Sequence, residues 1–127
     1  MKHFLLDSNC ILRYLLNDIP KQADIVEGYL KQCKKGNVTL YVPVLAFVES
    51  VFIMFKLYKL EKKDIVDRLS DFANIPFLEI ENKMSLLSAF KLYSNYNVSF
   101  VDSLFLTEAK QTGKQLLTFD KKLKKLI

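Results

Sequence analysis

The sequence is poor in the residues that most often announce a chemistry. Histidine occurs once, as His3, and cysteine twice, as Cys10 and Cys33, with no CxxC spacing and no histidine cluster nearby. This argues against a zinc site, a disulfide scaffold and any Ser-His or Cys-His nucleophile system. Three glycines and three prolines in 127 residues leave no room for a collagen-like or loop-dominated chain. Arginine is confined to Arg13 and Arg68, so the positive charge is almost all lysine. Long uninterrupted apolar runs are also missing. The most apolar window, residues 38–55, is broken by Pro43, Glu49 and Ser50. A carboxylate near the centre of a lone membrane span would be expensive, so the window reads as a buried strand followed by a buried helix. The opening MKHFLLDSNC carries one lysine and a three-residue apolar run before Asp7, which is not a secretory signal pattern. The expected compartment is the cytoplasm, with no membrane association.

What is present is the material of one folded domain. Half of the residues are apolar, 13% are aromatic and 26% are charged, which suffices for a core and is unlike a disordered tail. Nineteen Lys and Arg against 14 Asp and Glu give a net charge of +5. That balance is compatible with a polyanionic partner without requiring one.

Strand and helix signals alternate along the chain. Phe4-Leu5-Leu6 suits a buried strand, and Asp7-Ser8-Asn9 are all residues that cap a helix N-terminus before Ile11, Leu12, Leu15 and Leu16. Asp18 and Pro20 open a second helix with Ile25, Val26, Tyr29, Leu30 and Cys33 on one face, ending at Gly36. Val38 to Val42 has strand composition, and Pro43 separates it from a helix marked by Leu45, Val48, Phe52 and Phe55. An amphipathic helix with Ile65, Val66, Leu69 and Phe72 inward precedes a third strand at Phe77 to Ile80. Met84, Leu87 and Phe90 mark the next helix, Phe100 to Lys110 another that Gly113 terminates, and Gln115 to Phe119 a fourth strand before KKLKKL. The pattern predicts a single α/β domain over residues 1–127, with a mostly parallel sheet of four to five strands and helices on both faces.

Four acids stand out by position. Asp7 follows the first strand and Asp120 the last; open α/β sheets bind ligands outside the carboxyl ends of their strands. Each could equally be a helix N-cap. Glu49 is the only charged residue between Tyr41 and Phe55, and its helical neighbours are Leu45, Ala46, Phe52 and Ile53. It reads as a functional carboxylate or as half of a buried ion pair. Asp102 lies on or beside the apolar stripe of Phe105, Leu106 and Ala109, where a first-turn acid would also favour the helix dipole. The four are expected to converge on one pocket at the carboxyl edge of the sheet. Converging carboxylates repel, and a divalent cation reverses that by favouring their ionised form. An all-oxygen donor set suits Mg²⁺ or Mn²⁺ and points to phosphodiester hydrolysis through an activated water.

These residues resemble the motifs of a known family. Phe4-Leu5-Leu6-Asp7-Ser8-Asn9 resembles the opening of PIN-domain proteins, and Glu49 within LAFVESVF resembles their helix-borne glutamate. The stretch from Val98 to Leu106, with Asp102 inside it, resembles the third acidic motif. Gly113 followed by Leu116-Leu117-Thr118-Phe119-Asp120 resembles the ending of VapC-type toxins. The resemblance covers essentially the whole chain. It implies that Asp7, Glu49, Asp102 and Asp120 form the acidic cluster that binds Mg²⁺ or Mn²⁺, with Asp7 and Asp102 the most direct ligands. It implies that Ser8, Asn9 and Thr118 orient the carboxylates or the attacking water. It further implies a ribonuclease acting on single-stranded RNA, a homodimer and a cognate antitoxin protein.

Lys121, Lys122, Lys124 and Lys125 directly follow Asp120 and are the candidates to hold the RNA backbone. They are equally explained as a solubilising terminal helix whose leucines dock on the core. A phosphoacceptor receiver domain is a poor rival, because no Asp directly follows Val38 to Val42 and the early acidic pair is missing. A dehalogenase-like phosphatase would need a second acid in Asp7-Ser8-Asn9. The remaining rival is a non-catalytic module that uses the same fold to bind RNA or protein.

Overall fold

The computed structural model describes all residues, 1–127. It resolves into two compact units, Met1–Glu81 and Asn82–Ile127, each described by itself below.

The first unit is built on a three-stranded parallel sheet in the order β1-β2-β3. Strand β1 is Lys2–Leu5, β2 is Val38–Val42 and β3 is Glu79–Ile80. Register pairs Phe4 with Leu40 and Leu5 with Tyr41 on one side of β2, and Tyr41 with Glu79 and Val42 with Ile80 on the other. Side chains alternate across a strand, so Phe4, Leu40, Val42 and Ile80 share one face. Leu40 and Val42 are buried there, and such side chains contribute about 1.5–3 kcal/mol each to folding. The opposite face carries His3, Leu5, Thr39, Tyr41 and Glu79, none of them buried. Its polar pair is satisfied laterally, His3 Nδ1 lying 2.7 Å from Thr39 Oγ1. Burial of this sheet is therefore one-sided within the unit, unlike the expected cover on both faces.

Helices α1 (Ser8–Leu16), α2 (Pro20–Lys34), α3 (Val44–Lys56) and α4 (Lys62–Ala73) complete the unit. Ile11 and Leu12 of α1, and Ala23, Val26, Leu30 and Cys33 of α2, form the buried faces. Tyr29 of α2 meets Phe4 edge-on at 5.0 Å. Helix α2 is capped by Ile19 and not by Asp18, with Pro20 in its first turn. Asp18 is instead held by Arg13 at 2.7 Å and by the Tyr58 hydroxyl at 2.5 Å, an alternative a capping signal cannot reveal. Gly36 stops the chain after α2 with φ of 83°, a left-handed conformation that glycine adopts without Cβ strain.

Helix α3 buries Ala46, Phe47, Ser50, Val51 and Met54. Phe47 meets Phe72 of α4 edge-on at 6.3 Å. Of the expected markers, Leu45, Phe52 and Phe55 form the exposed face and Val48 is half-buried. Because α3 is apolar nearly all round, two stripes have helical spacing, and only packing chooses between them. The N-terminus of α3 has no side-chain cap from Pro43; Glu81 supplies one from beyond β3, its Oε1 accepting the Val44 N–H at 2.8 Å.

The second unit packs α5 (Lys83–Asn95) against α6 (Phe100–Thr112), with a short α7 (Lys121–Lys124). Phe90 stacks on Phe100 at 5.0 Å, and Tyr93 meets Phe100 edge-on at 5.7 Å. Burial pushes the Tyr93 phenol above its usual range. Val98, Leu106 and Leu123 form a small buried cluster with Leu92 and Leu116 against it. Gly113 ends α6 with φ of 70°. The expected fourth strand at Gln115 to Phe119 has no regular structure, and Leu117 and Phe119 are more than nine-tenths exposed. Apolar, β-branched composition favours a strand, but a strand exists only through a hydrogen-bonded neighbour, which this segment lacks. The expected third strand is likewise shortened, from Phe77–Ile80 to Glu79–Ile80.

No helix is long and apolar enough to cross a membrane.

Two outcomes follow from this packing. Glu81→Ala removes the cap of α3 and should lower stability by about 1 kcal/mol, read from urea midpoints, with Glu81→Gln milder because its amide oxygen still accepts. The Tyr58 hydroxyl, then Arg13, hold the Asp18 carboxyl below its usual 3.8. A lowered folded-state value contributes stability that is present above the unfolded value and lost as pH falls through the folded one. Asp18→Asn should therefore lower stability at neutral pH and flatten its fall below about pH 4, read from urea midpoints measured across that range.

Candidate acidic active site

Asp7 is placed by β1. The strand ends at Leu5, the Leu6 N–H bonds the Tyr41 carbonyl at 2.8 Å, and Asp7 is the next residue, at the carboxyl end of the sheet. It is also the N-cap of α1: Oδ1 accepts the Cys10 N–H at 3.2 Å. The two readings are compatible, since a carboxylate has about four lone-pair sites and one cap bond uses one of them. The Asp7 side chain is exposed, and it also bonds the Cys10 thiol. Behind it, Ser8 is buried and Asn9 exposed. Burial first, then the Asp7 charge and a hydrogen bond to Asp7, push the Cys10 thiol above its usual range.

Glu49 lies five residues after the first residue of α3, about 7.5 Å along a helix that starts at the end of β2. Its carboxylate is exposed and in no ion pair. The sequence places it among apolar residues, but its neighbours Leu45 and Phe52 are themselves 66% and 61% exposed. Neither desolvation nor a buried ion pair applies; Glu49 is an open acid on an apolar, outward-facing stripe.

In the second unit, Asp102 is the third residue of α6 and half-buried. Ser99 caps the helix, its Oγ accepting the Asp102 N–H at 3.1 Å. The carboxylate lies at the N-terminal end of the helix, where the peptide dipoles favour negative charge. Leu106 is buried and Phe105 is 53% exposed, so Asp102 sits at the margin of the buried stripe. Asp120 is the N-cap of α7, its Oδ1 accepting N–H groups of Lys122 at 2.8 Å and Leu123 at 3.1 Å. Thr118 Oγ1 in turn accepts the Asp120 backbone N–H at 3.1 Å. Lys121, Lys122, Lys124 and Lys125 are all exposed while Leu123 is buried, so the terminal helix docks by one leucine and presents its lysines.

Asp7 and Glu49 thus belong to the first unit, Asp102 and Asp120 to the second. Within neither unit do three or more His, Cys, Asp or Glu side chains gather as a metal centre would need. The donor chemistry nevertheless suits a hard divalent cation: every candidate is a carboxylate, and the bonds that Asp120 accepts fall on one oxygen. A further acid, Glu81, was not singled out in the sequence. It follows β3 as Asp7 follows β1, so the same strand-end criterion would have found it. Its role here is to hold the start of the helix that bears Glu49.

Comparisons with known proteins bear on the same positions. A PIN domain family model matches residues 4–126. A VapC ribonuclease from Aquifex aeolicus (strain VF5) is 29% identical over 123 residues, covering 96% of this chain and 90% of the relative. No solved structure matches. The matched span contains Asp7, Glu49, Asp102 and Asp120 together and runs through both compact units, and on that basis the chain belongs to the PIN domain family.

Proposed function

We propose that the protein is a metal-dependent ribonuclease that hydrolyses phosphodiester bonds of single-stranded RNA, the toxin of a toxin-antitoxin pair. The observation that carries this reading is the ordered set of four carboxylates in a chain aligned over 96% of its length to a VapC ribonuclease. Asp7, Glu49, Asp102 and Asp120 would hold Mg²⁺ or Mn²⁺, Asp7 and Asp102 most directly. A bound divalent cation would supply Lewis acidity at the scissile phosphate and lower the pKa of an attacking water. The chain's own contribution is positioning. Backbone N–H bonds hold the Asp7 and Asp120 carboxylates, and Thr118 orients Asp120. Ser8 and Asn9 are assigned a supporting role beside Asp7. The lysines of the terminal helix would take the RNA backbone, offsetting the repulsion between four acids and a polyanion.

A homodimer, a cognate antitoxin and a cytoplasmic setting belong to the same reading. The exposed Leu45, Phe52 and Phe55 of α3 supply apolar surface that an association would cover. The rival, a PIN-like module that binds RNA or protein without cutting, is separated by turnover itself.

In a cleavage assay on single-stranded RNA with Mg²⁺ or Mn²⁺, Asp7→Asn and Asp102→Asn should each reduce cleavage by orders of magnitude while the fold persists. Asn keeps the N-cap bond of Asp7, and losing one of several like charges relieves repulsion. Glu49→Gln should be milder if it acts on the cation through water. Cleavage undiminished in EDTA, or vigorous in the Asn variants, would overturn the mechanism; RNA bound but never cut would favour the rival.

Replacing two of Lys121, Lys122, Lys124 and Lys125 with Ala should weaken RNA binding across sequences. It should also flatten the dependence of log affinity on log salt by about 0.7 for each phosphate no longer neutralised. An unchanged slope in a folded variant would make the terminal helix purely structural.

A further inference from the structure

Helices α5 and α6 leave a groove between them, of about 500 Å³, lined by Ser88, Lys91 and Leu92 on one side and Thr107, Lys110 and Gln111 on the other. Its polar lining is rich in hydrogen-bond donors and contains no carboxylate. Lys91 and Lys110 are exposed and in no ion pair, so two ammonium groups flank the groove uncompensated. Gln111 Oε1 already accepts a hydrogen bond from the Ser85 hydroxyl, which leaves its amide N–H groups to donate.

Thr107 provides an independent observation. The fully buried hydroxyls of Ser50 and Ser103 each donate to the carbonyl one turn back, Ser50 to Ala46 at 2.7 Å and Ser103 to Ser99 at 3.0 Å. Thr107 is only 4% exposed, yet its Oγ1 has no hydrogen-bond partner, and the residue lines the groove. A buried hydroxyl without a partner is destabilising, and such groups in folded proteins call for an explanation, an unseen ligand or water among them.

We propose that this groove is a phosphate-binding site that takes a backbone phosphodiester of single-stranded RNA, Lys91 and Lys110 neutralising the phosphate while Ser88 and Gln111 donate to its oxygens and the Thr107 hydroxyl, sealed from solvent in the free protein, turns outward to join them. The identification of RNA rests on the ribonuclease reading above; the phosphate chemistry does not. A lone phosphate would leave much of the groove empty, whereas a nucleotide unit can lay its sugar or base against Leu92. Lys110 lies eight residues beyond Asp102 on the same helix, about 12 Å along its axis. The site would thus grip the strand at a nucleotide away from the scissile bond.

The test uses full-length protein carrying Asp7→Asn, to suppress cleavage, and two probes. Inorganic phosphate, titrated by NMR, should shift the amides of Ser88, Lys91, Thr107, Lys110 and Gln111, and the Lys91→Ala/Lys110→Ala pair should abolish those shifts. For a labelled single-stranded oligonucleotide followed by anisotropy, that pair should weaken binding and flatten the log–log salt slope by about 1.4, as expected for two phosphates on a single strand. Thr107→Val, which keeps the shape and removes the unpartnered hydroxyl, should weaken oligonucleotide binding several-fold while leaving Tm unchanged or higher. A hydroxyl kept for structure would instead lower Tm on removal. An oligonucleotide still bound by the folded double variant with unchanged affinity and slope overturns the proposal and leaves the ribonuclease reading standing. Phosphate shifts at these amides in a protein that neither binds nor cuts RNA overturn the RNA assignment together with that reading. Absence of phosphate shifts at the groove overturns the site itself.

Discussion

Parallel pairing on both sides of β2 is the constraint on which the first unit depends. Parallel strands need long crossovers, here supplied by α1 and α2 between β1 and β2 and by α3 and α4 between β2 and β3. They also set all strand ends at the same edge. Asp7 after β1, the start of α3 after β2 and Glu81 after β3 therefore share one edge of the sheet. That edge exposes backbone groups no ladder can satisfy, and side chains at the same edge take some of them up. Asp7 accepts from Cys10, and Glu81 accepts from Val44. Residues suited to bind a cation are thus already at work in holding helix ends, and a carboxylate so used still has lone pairs to spare.

Helix α3 shows how packing and chemistry divide one element. Its inner side, with Phe47, Val51 and Met54, is held against the rest of the unit, while Glu49 rides on the other side among exposed apolar residues. An exposed carboxylate carries no desolvation penalty, so Glu49 needs no partner for the fold to be stable. The electrostatic demand arises only when several such acids share a site, where their mutual repulsion is relieved by a cation.

The second unit separates the same two demands along α6. Asp102, at its N-terminus, is favoured by the helix dipole, and Phe100 and Leu106 anchor the helix in the core. Farther along, Thr107 and Lys110 line a groove, the one with a buried hydroxyl left unpartnered and the other with a cation uncompensated. Features that cost stability and make no internal bond are those most readily accounted for by a ligand.

Much of the local architecture could be read directly from residue order. Asp7 and Asp120 as N-caps, Gly36 and Gly113 as left-handed stops, and β1 and β2 as strands all follow from short-range sterics and hydrogen bonding, which a few neighbouring residues suffice to determine. Membership of the PIN family was legible for a similar reason: four short motifs occur in order, and motif order survives without any knowledge of packing. What required tertiary structure was every choice between locally equivalent options. On α3, Leu45-Phe52-Phe55 and Phe47-Val51-Met54 both have helical spacing, and only packing against α1 and α4 decided that the second is buried and Glu49 exposed. Asp18 and Ile19 competed for the start of α2, and Arg13 with Tyr58, the latter 40 residues away in sequence, drew Asp18 away. Gln115 to Phe119 has strand composition but no ladder, because a strand is defined by its neighbour's hydrogen bonds and not by its own side chains. The groove of α5 and α6 lies beyond any motif, since its donors come from two helices whose packing brings them together across the sequence.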